Sequence, residues 1–234
     1  MKPVISHKPI KFEIHDHGFV MLANRMGDDL AVVNAARQSF GNTEFEMTEK
    51  NKGLINFLMR ERHGTPFEMV TFTFNAKVPI FVMREWIRHR IGSFNEYSGR
   101  YTKMIEDFYI PMESKVRSQT GKPGAYVFEP VDSHKAKAVR AAMTVFSKSA
   151  WWLYEALLKM GVAKEVARMI LPVNYYTQFT WTVNLRSLLN FISLRSHETA
   201  MFEIREYSRA IETLISEVVP VSYKAFQENG RRAP

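Results

Sequence analysis

Nothing in this 234-residue chain constrains its fold more than the stretch from Val70 to Tyr101. It opens as Val70-Thr71-Phe72-Thr73-Phe74-Asn75-Ala76-Lys77-Val78, alternating apolar and polar residues with the period of a strand. Pro79 follows and suits a first helical position, where its missing N–H costs nothing. Ile80, Phe81, Met83 and Ile87 then recur at helical spacing. Arg84 and Arg88 share one face of that helix, and Glu85 shares another with His89. Ile91-Gly92-Ser93-Phe94-Asn95 breaks the period and carries the chain out of the helix. Ser98-Gly99-Arg100 supplies a hydroxyl, a residue that lets backbone approach closely, and a planar two-pronged donor. That trio suits an anion such as phosphate. An ordinary solvated basic face carries Lys and Glu. This one interleaves Arg, His, Ser and Asn with aromatic residues.

Composition narrows the chemistry. Apolar residues make up 46% of the chain, with 17 Phe and 13 Met, enough for a sizeable core. The longest uncharged run, Met169 to Leu185, holds Pro172, Asn174 and Gln178 and is too short and polar to span a membrane. Met1-Lys2-Pro3-Val4 lacks the apolar core of a signal peptide, and no Asn-x-Ser/Thr sequon occurs, so a cytoplasmic protein is expected. The net charge of +8 calls for anionic partners. The basic residues are spread rather than gathered in a stripe, so nucleotide-sized anions account for the excess as well as a nucleic acid polymer does. With no cysteine there is no disulfide, no thiolate metal site and no cysteine nucleophile.

The rest of the chain reads more coarsely. Lys11–His15 and Gly18–Leu22 are one or two strands. His15 and His17 are surface histidines with nothing nearby to complete a metal site. A helix spans Asp29–Phe40, with Ser39 near its end. The next is capped by Thr48 or Asn51 and ended by His63-Gly64-Thr65-Pro66. Asp107–Ile110 is a short strand, and Glu113–Pro130 a surface loop with turn chemistry at Gln119–Gly124. A long helix runs from Ser133 to Met160, its Trp151-Trp152 pair serving the core or a subunit contact. A helix over Ala163–Leu171, a strand over Tyr175–Val183 and helices over Asn184–Leu194 and Glu198–Val219 follow. Glu228–Pro234 is a loose tail. With no repeat and no linker, a single domain is expected.

The run Arg88-His89-Arg90-x-x-Ser93-x-Asn95-Glu96-x-Ser98-x-Arg100 resembles the signature of the flavin-dependent thymidylate synthases. Similar matches lie at Ala36-Arg37-x-Ser39-Phe40, His63-x-Thr65-Pro66-Phe67-Glu68, Glu165-Val166-Ala167-Arg168 and Trp181-x-x-Asn184-x-Arg186-x-x-x-Asn190-Phe191-x-x-Leu194-Arg195. The resemblance covers roughly Gly18 to Phe226. It implies an α/β fold of the α+β kind: a central, mostly antiparallel sheet with long helices, of the thymidylate synthase-complementing type and not Rossmann. The lack of a Gly-x-Gly-x-x-Gly agrees. It also implies reductive methylation of dUMP to dTMP. Methylenetetrahydrofolate gives the carbon, FAD carries the hydride, NADPH is the reductant, and a homotetramer shares its active sites between subunits.

Carried over by position, the resemblance gives a dUMP site of Glu85, Arg88, Glu96, Tyr97, Ser98, Gly99, Arg100, Arg168 and Arg195. Ser98, Gly99 and Arg100 hold the phosphate, and Arg195 is the catalytic group that stabilises charge on the pyrimidine. The FAD site draws on Thr65, Arg88, His89, Arg90, Ile91, Glu96, Asn184, Arg186 and Asn190, with Ser39 and Glu68 as further candidates. No metal is implied. Relatives often carry Gln where Glu85 stands, and His where Thr199 stands. No flavin contact is therefore carried to Thr199, nor to His197.

Overall fold

The computed structural model describes residues 10–234, so the Met1–Val4 opening lies outside the described residues. In chain order the elements are β1 (Lys11–Ile14), β2 (Gly18–Met26), α1 (Asp29–Arg37), α2 (Glu49–Arg60), β3 (Thr71–Pro79), α3 (Ile80–Trp86) and β4 (Ser93–Glu96). Then come β5 (Arg117–Lys122), β6 (Ala125–Pro130), α4 (Ser133–Lys159), α5 (Lys164–Ala167), β7 (Tyr176–Asn184), α6 (Leu185–Arg195), α7 (Phe202–Val218) and α8 (Pro220–Glu228). The chain divides into two compact units. The first holds residues 10–78, Val82–Glu96 and Gln178–Pro234; the second holds Pro79–Phe81 and Tyr97–Thr177. The divisions fall inside or directly beside β3, α3, β4 and β7, which is why no linker marks them in the sequence.

The first unit is built on a five-stranded sheet in the order β1-β2-β3-β7-β4. The pairs β1/β2, β2/β3 and β4/β7 are antiparallel. The alternation in β3 does what its period requires: Phe72, Phe74, Ala76 and Val78 are fully buried while the residues between them are half-exposed. Under the sheet Trp86 sits in an aromatic cluster. Its ring centroid lies 4.9 Å from Phe191, 5.2 Å from Phe179 and 5.4 Å from Trp181, the last at 88°. Edge-to-face packing of this kind adds about 0.5–1.5 kcal/mol per pair beyond burial. It fixes the end of α3.

Asp29, buried at the start of α1, anchors another element. Its carboxylate accepts from Val221 N–H, Ser222 N–H and the Ser222 hydroxyl at 2.6–2.8 Å, which satisfies the first turn of α8. Burial pushes this carboxyl above its usual range, and the bonds from Ser222 and Val221 pull the other way. Thr48, not Asn51, caps α2 by accepting from Asn51 N–H. His15 is not a surface histidine: its Nε2 bonds Glu203 O, and its ring packs against Phe202 and Tyr207.

The second unit carries α4, α5 and the β5/β6 hairpin. The loop expected over Glu113–Pro130 is mostly this hairpin, turning at Pro123-Gly124. Its residues are almost all exposed, so no buried face imposed an alternation for the sequence to reveal. Asp107–Ile110 makes only a bridge, Phe108 to Tyr175, rather than a strand. Trp151 stacks on Tyr175 and packs tilted against Tyr154, while Trp152 is exposed. Among the described residues no helix is long and apolar enough to cross a membrane.

The expected loose tail at Glu228–Pro234 is instead tied down. Arg231 pairs with Glu212, Arg186 Nε donates to Pro234 O, and Pro234 is buried.

Candidate active site

The site of the first unit begins where α3 ends. Pro79 closes β3 instead of opening the helix, and α3 stops at Trp86, earlier than its periodicity indicates. Its buried face is Val82, Met83 and Trp86; Ile87 is exposed. A last turn follows, with Ile87 N–H bonded to Met83 O and His89 N–H to Trp86 O. Arg88, Arg90 and Ile91 therefore leave the helix exposed, while His89 between them is half-buried. Gly92 lets this segment lie against β7: a Cβ there would sit 2.9 Å from Thr182 O and 2.7 Å from Trp181 Nε1. The next residues form the edge strand β4, where the sequence indicated only a break.

Arg195, the last residue of α6, meets this turn. Its Nε donates to His89 Nε2 at 3.0 Å, its Nη1 to Glu85 Oε2 at 3.1 Å and its Nη2 to the Glu85 carbonyl at 3.1 Å. A guanidinium has five N–H donors, so one on each terminal nitrogen remains for a ligand. A charged donor on Nε2 means that His89 is neutral and carries its proton on Nδ1. Burial, aided by the Arg195 charge, pulls the His89 pKa down to about 4. The ring is also held edge-on by Phe191, 4.9 Å away.

The sign of the resulting pH effect follows. Between about pH 6.5 and pH 4 the unfolded chain protonates this histidine and the folded chain does not, so stability falls as pH drops through that window. Thermal unfolding at pH 7.5, 5.5 and 4.5 is expected to show this loss. It is expected to be smaller in His89→Asn, which keeps an acceptor but does not titrate there.

Beside Arg195 opens a cavity of about 1020 Å³. Arg62, Arg88, Arg90, Arg186 and Arg195 line it against a single acidic residue, Glu68. One face of α6 supplies Arg186, Ser187, Asn190 and Leu194, while Leu188, Leu189, Phe191 and Ile192 on the other side are buried. Arg186 is fixed twice, with Nη1 on Glu68 Oε1 at 2.6 Å and Nε on Pro234 O at 3.0 Å. Gly64 makes room for it: a Cβ there would stand 2.4 Å from Arg186 Nε.

A separate cluster lies in the second unit. Ser98, Gly99 and Arg100 form a tight turn in which Tyr101 N–H bonds Ser98 O and Arg100 N–H reaches Ser98 Oγ. Gly99 is buried, and a Cβ on it would lie 3.1 Å from Arg168 Cδ. Arg168 thus packs directly on the turn. Arg100 Nε pairs with Glu165 at 3.0 Å, one turn before Arg168. Tyr97 OH donates to Lys103 O and steadies the approach to the turn.

Several implied residues lie elsewhere. Thr65, Glu96 and Asn184 do not line the cavity. The Asn184 side chain accepts from Ser187 N–H and caps α6, so its role within the chain is structural. Glu96 stands on β4, and Ser39 is exposed on the short turn after α1. Conversely, Arg62, Ser187, Ala200, Ala233 and Pro234 line the cavity without any assigned role, as do Leu194, which stands in the matching motif, and Thr199, to which no flavin contact was carried. The spacing of Arg186, Asn190 and Leu194 along α6 was the available signal for Leu194. His197 lies outside and bonds Thr199.

The family model described as "Thymidylate synthase complementing protein" matches residues 21–221. The chain is similar to the flavin-dependent thymidylate synthase of Thermosipho africanus, with 45% identity over 93% of this chain and 94% of the relative. It is also similar to that of Thermotoga neapolitana, with 46% identity over 93% and 94%. Among solved structures it resembles a UMP/dUMP methylase, PolB from Streptomyces cacaoi bound with 5-Br dUMP. That likeness has a TM-score of 0.87 and 37% identity, covering 95% of this chain and 100% of the other. A cysteine-free chain with an arginine-lined cavity, an immobilised Arg195 and matches over nearly its whole length belongs to the flavin-dependent thymidylate synthase family.

Proposed function

We propose that this enzyme converts dUMP to dTMP with methylenetetrahydrofolate as carbon donor, FAD as resident cofactor and NADPH as reductant, working as a homotetramer with shared active sites. The cavity fits a flavin dinucleotide in two respects. Its volume, about 1020 Å³, lies at the upper end for small-molecule sites. Its guanidinium donors suit a pyrophosphate. Arg88, Arg90, Arg186 and Asn190 would hold the cofactor, which when bound supplies the hydride that takes a methylene to the methyl level.

The chain's own residues address the pyrimidine. C5 of uracil is a weak carbon nucleophile and improves as negative charge builds on N3 and O4. Arg195 offers two N–H groups to that charge, and because its other contacts are already made, little reorganisation is needed when the charge develops. Glu85, acceptor-only when ionised, serves Arg195 rather than the amide-like contact that Gln would make. Ser98, the Gly99 backbone, Arg100 and Arg168 suit the nucleotide phosphate. The 5-Br dUMP in the Streptomyces cacaoi structure supports dUMP as the nucleotide.

The immobilised Arg195 carries this reading. Its test is anaerobic: FAD-loaded protein given dUMP, methylenetetrahydrofolate and NADPH is expected to form dTMP, and omission of any one is expected to stop it. Protein that holds FAD yet forms no dTMP from the complete mixture would overturn the proposal.

A further inference from the structure

The segment after α8 is pinned at successive points to the first unit. Asn229 Nδ2 donates to Asn56 Oδ1 at 2.7 Å. Gly230 and Arg231 then take left-handed backbone conformations, φ 73° and 57°, which turn the chain back. For a residue with a side chain that conformation is unfavourable and persists only where surrounding contacts hold it. Those contacts are present. Arg231 Nη2 lies 2.6 Å from Glu212 Oε1 and 2.8 Å from Ser196 Oγ, and its guanidinium sits over the Phe226 ring. Glu212 is 8% exposed, so the pair is largely shielded from water. Beyond this latch Ala233 and Pro234 line the same cavity as Arg88 and Asn190, and Pro234 O takes the Arg186 Nε–H.

From this we infer that Ala233 and Pro234 are a wall of the cofactor cavity, that Pro234 positions Arg186, and that Arg231 is the latch that holds this wall in place. The inference rests on the reading of that cavity as the flavin site. Arg186 has a flexible side chain, and ordering it costs conformational entropy. Pro234 O and Glu68 oppose that cost in advance by holding two of its nitrogens, so an anionic cofactor group meets a guanidinium already in place.

The test follows release of FAD from the holoenzyme after dilution, read as recovery of flavin fluorescence. Arg231→Ala is expected to speed release by about tenfold or more, the loss of one charge-assisted contact network. Arg231→Lys, which keeps the pair with Glu212, is expected to stay within about threefold of wild type. Pro234→Gly leaves the latch intact and frees the wall, and is expected to speed release even if Arg231→Ala does not fold. Wild type that holds FAD beside Arg231→Ala and Pro234→Gly proteins with unaltered release overturns this inference alone. Wild type that never carries flavin overturns the cofactor reading and this inference with it.

Discussion

Arg195→Ala is expected to lower kcat for dTMP formation by about 100- to 1000-fold, the usual loss when one preorganised donor to a developing anion is removed. Arg195 lines the same cavity, but the groups assigned to the cofactor are Arg88, Arg90, Arg186 and Asn190, and Arg186 is held by Glu68 and Pro234 independently of Arg195, so FAD is expected to stay bound. The measurements are steady-state turnover and flavin absorbance of the purified variant. Arg195→Lys is expected to recover little. An ammonium is a point charge and does not reproduce a planar group that bonds Glu85 and His89 on one side and a ligand on the other. Alanine also leaves the half-buried Glu85 carboxylate without its partner, so the variant is expected to lose some thermal stability. Wild-type turnover in Arg195→Ala would remove the residue from its role.

A different signature is expected from Arg168→Ala. Loss of a charged donor to phosphate costs about 1.5–3 kcal/mol, which raises the KM for dUMP by about 10- to 150-fold. The kcat at saturating dUMP is expected to change much less, because a phosphate contact binds ground and transition states alike. Arg168 lies against Gly99 in the second unit, and Arg195 against Glu85 in the first. The contrast between a KM effect and a kcat effect therefore assigns each cluster its part. An Arg168→Ala enzyme with unaltered KM would take that residue out of the phosphate site.

Parts of this architecture were legible from residues alone, and the failures have physical causes. The β3 alternation was plain because one face packs on a core. The four-residue β4 was hidden because it is a short edge strand inside a polar run. The β5/β6 hairpin was missed because neither of its faces is buried. For the site, Arg88, His89, Arg90 and Ile91 of the signature run line one cavity. The resemblance put Glu85 and Arg195 in one dUMP site, but their direct ion pair was not legible, since it spans 110 positions and depends on where α6 ends. The residues after α8 were read as loose because ion pairs and a lone backbone acceptor leave no periodic trace.

The interruption of the first unit by residues 97–177 bears on how the polypeptide is made. Thr73 on β3 bonds Thr182 on β7 across 109 positions, and Asp29 waits for Ser222 across 193. A ribosome must therefore deliver the whole intervening piece before neighbouring central strands can meet. Such non-local closure is intrinsically slow and leaves an apolar strand such as β3 uncovered meanwhile. During synthesis, until β7 arrives, the growing chain carries a half-finished sheet with one edge of β3 unpaired.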